Sequence, residues 1–161
     1  MSKTLILGLG NDILTDDGIG PRIVRSLSGS YNYPSVSFQY ATSGGLEIME
    51  LISGYDTVIF IDGIRTSSGV PGDVYYYQPA DFRETLHLSN LHDISFLTAI
   101  RLGEALQMNL PDDLHIIAIE IVEDMEFGEK LTPELDEKYP LILKKIDELL
   151  CQILPADIRK K

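Results

Sequence analysis

The chain has 161 residues, 44% of them apolar, which is enough for one domain with a buried core. Its 25 acidic residues against 13 Lys and Arg give a net charge of −12, which disfavours nucleic acid and anionic membranes as partners and favours a cationic metal or a positively charged peptide. The lone Cys151 forbids an intrachain disulfide and suits a reducing cytoplasm, the amino-terminal apolar run is too short for a signal peptide, and no stretch approaches the roughly 20 apolar residues of a membrane helix.

The first predicted strand runs from Thr4 to about Leu9 and turns on Gly8 and Gly10. A helix follows from near Asp17, with Pro21 in its first turn, where a missing N–H does no harm. Ile19, Ile23, Val24 and Leu27 recur at helical spacing along it. Alternating Val36, Phe38 and Tyr40 predict the second strand, and Thr42 to Gly45 a tight loop before a short helix from Leu46 to Ser53.

Thr57 to Ile61 is apolar on both faces, as a central parallel strand requires, and it ends at Asp62-Gly63. Asp73 to Gln78 reads as a fourth strand. Only a short loop separates it from the third, so it is expected to run antiparallel. A loop carries His87 and His92 to a helix beginning near Asp93, and Leu114 to Ile121 is the fifth strand. Thr132-Pro133 reads as an N-cap followed by proline at the first helical position. The last helix places Ile142, Ile146, Leu149, Leu150 and Ile153 on one stripe, with Pro140 expected to kink or split it.

No repeat or linker divides the chain. The expected architecture is one α/β domain over residues 1–161, a three-layer sandwich with a mostly parallel, twisted five-stranded sheet and helices on both faces.

The chemistry gathers at strand ends. Gly8-Leu9-Gly10 after a strand resembles a dinucleotide loop, but Ile13 stands where the third glycine belongs, and Asp12, Asp16 and Asp17 would repel a pyrophosphate. One acid at a helix amino terminus is ordinary capping. Three together imply mutual repulsion unless a cation is present. Asp62 stands at the carboxyl end of the third strand. If strands one and three are neighbours, it shares a crevice with Asp16 and Asp17. A neutral imidazole from His92, or from its rival His87, would complete a mixed nitrogen and oxygen set suited to nickel, zinc or iron rather than calcium. His115, inside a strand, reads as structural, and Cys151 as inert packing. No Gly-x-Ser-x-Gly elbow, His-Glu-x-x-His helix or P-loop occurs.

Gly8-x-Gly10-Asn11 followed by Asp16-Asp17-Gly18-Ile19-Gly20 resembles the opening of the hydrogenase maturation endopeptidases. Thr42-Ser43-Gly44-Gly45-Leu46-Glu47, Ile61-Asp62, Asn90-Leu91-His92-Asp93 and Leu131-Thr132-Pro133 resemble later segments of that family in order. Two segments depart from its pattern: Thr42-Ser43, where Gly-Thr is usual, and Ile121 to Glu126, which lacks a Pro-Glu pair.

The resemblance implies an endopeptidase that trims the carboxyl-terminal extension of a nickel–iron hydrogenase large-subunit precursor. The nickel is supplied by that precursor. Metal contacts would fall on Asp17, Asp62 and His92, and the base for an attacking water on one of Asp16, Asp17 and Asp62. Relatives often carry glutamate at the first metal position, so the shorter Asp17 would draw the ion closer to its loop. A cytoplasmic monomer is the default expectation. The competing readings are a nickel- or zinc-binding carrier or assembly module without hydrolysis, and a metal-dependent hydrolase of small molecules.

Overall fold

The computed structural model describes residues 2–31, 33–42, 46–84 and 100–158. Its strands are β1 (Thr4–Leu9), β2 (Val36–Ala41), β3 (Thr57–Ile64), β4 (Val74–Tyr77) and β5 (Asp113–Glu120), in the spatial order β2-β1-β3-β5-β4. The first four in that order are parallel, and β4 is antiparallel to β5 at one edge. The helices are α1 (Ile19–Ser28), α2 (Leu46–Ile52), α3 (Pro79–Glu84), α4 (residues 100–105) and α5 (Pro133–Ile153). A 3₁₀ turn, Thr15–Gly18, precedes α1.

Strand parity divides the core in two. Ile6, Ile59, Ile61, Ile117 and Ile119 face α1 and α5, whereas Leu5, Leu7, Leu9, Val58, Phe60 and Ile116 face the side holding Ile48, Met49 and Ile52 of α2. Each fully buried Ile or Leu contributes roughly 1.5–3 kcal/mol relative to exposure. Because β3 and β5 are covered on both faces, neither shows polar alternation. Among the described residues, no helix is long and apolar enough to cross a membrane.

The chain leaves β1 for β2 on one side and returns to β3 on the other. The carboxyl ends of β1 and β3 therefore flank the point where the winding reverses, the place where open α/β sheets form a ligand crevice. The loop opening there has no room for side chains. A Cβ on Gly20 would strike the carbonyl oxygens of Leu9 and Ile61, and one on Gly8 would lie 2.6 Å from the Gly20 oxygen. The glycines of the opening motif let α1 start directly against the two strand ends.

Three features differ from expectation. β4 is antiparallel as predicted, but it borders β5, because β1 and β5 already occupy both edges of β3. β3 does not end at Asp62-Gly63 but continues to Ile64, so Asp62 lies within the strand, buried and in register with Ala118. Pro140 does not split α5, which runs unbroken for 21 residues. Leu135, Ile142, Ile146 and Leu150 dock the helix on both sides of the proline. Pro140 and Asp136 face solvent, so water can satisfy the Asp136 carbonyl that loses its helical donor.

Candidate active site

The turn of residues 15–18 and the end of β3 bring buried carboxylates to the crevice. Asp16, Asp17 and Asp62 are 0%, 1% and 5% exposed. The turn packs against both α1 and β3, so the acids of the turn and of the strand meet at the crevice.

Asp16 is bound from a distance. Its Oδ2 accepts hydrogen bonds from the Val122 and Glu123 N–H groups, both at 3.1 Å, and from Thr132 Oγ1 at 2.9 Å; its Oδ1 accepts from the Thr132 N–H at 2.7 Å. The Asp16 N–H also donates to the Glu123 carbonyl at 3.0 Å. Asp16 thus fastens the segment between β5 and α5 to the crevice. Thr132 precedes α5 as predicted, but its hydroxyl serves Asp16 and makes no cap bond to the helix.

Asp17 has a more local setting. Its Oδ2 accepts from the Asn11 N–H at 2.7 Å, closing the loop on itself. Gly10 makes this closure possible: it sits at φ +141°, and a Cβ there would strike the Asp17 carbonyl. Thr15 holds φ 53°, an uncommon conformation for a β-branched residue, one step before the acids.

The three loop acids do not act as one cluster. Asp12 leaves the crevice and grips Arg25 of α1 through two bonds, at 2.7 and 3.1 Å, and the pairing raises the Arg25 pKa. Arg25 also lies 5.1 Å from the centre of the Tyr40 ring. With Asp12 paired, Asp16 held by four donors and Asp17 bonded to its own loop, crowding gives no argument for a cation. Among the described residues, no group of three or more His, Cys, Asp and Glu side chains could hold a metal ion. Asp17 and Asp62 supply two carboxylate side chains. The expected third ligand, His92, lies outside the described residues, as do its rival His87 and the loop at Ser43 to Gly45.

The sequence reading missed Glu120, at the end of β5 and 2% exposed. Its Oε1 accepts from the Thr66 N–H at 2.7 Å, and its Oε2 from Thr66 Oγ1 at 2.9 Å and Tyr75 Oη at 3.2 Å. Burial foremost, and then the Glu120 charge, raise the Tyr75 pKa. Parity puts Glu120 on the same sheet face as Ala118, the register partner of Asp62. A glutamate directly after the apolar run His115 to Ile119 was the available signal.

His115 proves to be a packing residue. It is buried, its Nδ1 is bonded to Tyr76 Oη at 2.6 Å, and its Nε2 lies 2.9 Å from Asp113 Oδ2 without hydrogen-bond alignment. Cys151 is partly buried and touches Tyr31 Oη at 3.9 Å.

Comparison with known proteins converges on one family. A sequence profile of the hydrogenase maturation proteases matches residues 21–149. The hydrogenase 2 maturation protease of Escherichia coli is 29% identical over 150 residues, covering 89% of this chain and 88% of that protein. The hydrogenase maturating endopeptidase HybD of Escherichia coli superposes with a TM-score of 0.74 at 22% identity, over 93% of each chain. The nickel–iron hydrogenase maturation protease HybD of Thermococcus kodakarensis gives 0.69 at 21% identity, over 91% of this chain and 98% of its own.

Proposed function

Since this chain belongs to the hydrogenase maturation protease family and is an endopeptidase, we propose that it removes the carboxyl-terminal extension of a nickel-loaded hydrogenase large-subunit precursor. In this reading Asp17, Asp62 and His92 take up open coordination positions on the nickel that the precursor brings. The nickel is then part of the substrate and acts as a test of its maturity. The supporting observation is the placement of Asp17 and Asp62, both buried, on two elements that meet where the sheet reverses its winding. Two hard carboxylate oxygens with one imidazole form a mixed set suited to a borderline divalent ion.

The scissile peptide lies along the crevice. A water oxygen adds to its carbonyl carbon while one of its protons passes to Asp17 or Asp62. The carboxyl group then returns the proton to the departing amide nitrogen as the C–N bond breaks. Asp16 has four donors of its own, so it positions the turn and leaves the proton transfer to its neighbours. The chain works as a monomer in the cytoplasm, in keeping with its single cysteine and acidic surface.

The deciding experiment is the intact mass of nickel-loaded precursor before and after incubation, with nickel-free precursor and the variants Asp17→Ala, Asp62→Ala and His92→Ala as controls. Loss of a short carboxyl-terminal peptide only with nickel and only with intact residues is the expected result. An uncut precursor with verified nickel would sink the proposal, and tight nickel binding by the isolated chain would then favour a carrier module.

A further inference from the structure

The segment that Asp16 fastens also carries the most exposed apolar side chains among the described residues. Phe127 is 84% exposed and Met125 74%, and across from them Ile13 is 48% exposed. Single exposed apolar residues are ordinary, but these belong to one backbone unit. Gly128 and Leu14 form a parallel bridge, the Gly128 N–H donates to the Ile13 carbonyl at 2.9 Å, and the Thr15 N–H donates to the Gly128 carbonyl at 2.9 Å. Thr15 Oγ1 donates to the Glu126 carbonyl at 2.6 Å. Glu123 Oε1 accepts from the Met125 and Glu126 N–H groups at 2.6 and 3.0 Å, and these bonds hold the Glu123 carboxyl below the usual carboxylate range. The apolar side chains therefore stand on a fastened frame. Only Thr15 and Asp16 separate Leu14 of that frame from Asp17.

The charge of this lip is one-sided. Residues 122–129 contain Glu123, Asp124, Glu126 and Glu129 and no Lys or Arg. Arg65 reaches Asp124 and Arg22 reaches the Glu129 carbonyl, each at 3.0 Å, so two guanidinium groups border four acids and the lip keeps an acidic excess.

We propose that this lip docks the protein substrate next to the bond to be cut, binding a segment that carries both Lys or Arg and apolar side chains. The inference rests on the protease reading and names the surface by which that site selects its substrate. Met125 and Phe127 supply apolar area already in place, and Glu126 and Glu129 steer and orient the basic groups. Continuity of the lip with the Asp17 turn, together with its acidic excess, favours this occupant over a neutral peptide or a second copy of this acidic chain.

The test compares wild type with the double variants Met125→Ser/Phe127→Ser and Glu126→Lys/Glu129→Lys on nickel-loaded large-subunit precursor. Cleavage kinetics are measured, along with precursor binding to each protein carrying Asp62→Asn. Both pairs are expected to raise KM and weaken binding about tenfold with little change in kcat, and the lysine pair also to flatten the salt dependence. All four positions are exposed, so matching thermal unfolding curves exclude a folding defect. KM, Kd and salt dependence within about twofold of wild type in both pairs would overturn the lip. If wild type binds precursor but leaves it uncut, the protease reading falls, and the binding comparison still decides whether the lip docks it.

Discussion

Two acid-bearing regions border the crevice, and each contains one carboxylate held by several donors from distant segments. On the turn of residues 15–18 it is Asp16, held by three backbone N–H groups and a hydroxyl from a segment at least 106 residues away. At the ends of β3 and β5 it is Glu120, held by one backbone N–H and two hydroxyls. Asp17 and Asp62 sit beside them. The difference between the regions lies in the donors. Backbone donors are fixed by the fold and do not depend on side-chain identity, whereas the hydroxyls on Glu120 belong to Thr66 and Tyr75 and can be deleted singly. Acids of equal burial thus differ in what holds them, and Asp16 and Glu120 are the two whose donors come from distant segments.

The sharpest separation is expected between Asp17 and Asp16. Asp17→Asn should lower precursor cleavage by about a hundredfold or more while shifting unfolding free energy by less than about 1 kcal/mol. Asp16→Ala should remove about 3 kcal/mol of stability, read from urea midpoints, because it orphans several buried N–H groups. Equal stability losses in the two variants would erase the distinction between them. At the other wall, Tyr75→Phe should cost about 1 kcal/mol in the same measurement, since Glu120 keeps both of its bonds to Thr66.

A pH titration of stability probes three tyrosines, of which Tyr75 belongs to the Glu120 region. Burial raises the hydroxyl pKa of Tyr31, Tyr75 and Tyr139, with Asp147 and Glu120 adding to the first two. Each hydroxyl is raised in the folded state, so its contribution is complete below the unfolded value of about 10 and is lost as pH rises beyond it. Urea midpoints should therefore fall above about pH 10, and Tyr31→Phe should make that fall shallower. The smallest effect is expected from Asp12→Asn, under about 1 kcal/mol, because the Arg25 pair is nearly half exposed.

Much of the fold and the placement of the acids could be read from the chain, and the exceptions have physical causes. β1 and β3 were legible because buried parallel strands are continuous apolar runs, and the pairing of Ile6 with Ile59 follows from two such runs bordering each other. Asp16, Asp17 and Asp62 were legible as a group because sheet winding fixes where strand ends meet. Their separate duties were not, since the partners of Asp16 lie at Val122, Glu123 and Thr132. Asp12 was misread as part of the cluster because its partner Arg25 lies on the next helix. Glu120 went unmarked because the groups that engage it, on Thr66 and Tyr75, lie far from it in sequence. Pro140 was read from backbone chemistry alone, without the packing that carries α5 past it.

The in-strand position of Asp62 makes the crevice asymmetric in what can adjust. β3 is flanked by β1 and β5, so Asp62 moves only if the centre of the sheet moves. Asp17 rides on a single turn latched through Asp16 to residues 122–132, at the surface. One acid of the crevice is thus set by the centre of the sheet and the other by a turn tied to a surface segment. In the proposed reading, substitutions in that segment shift Asp17 relative to Asp62, and with it the ion or peptide accepted.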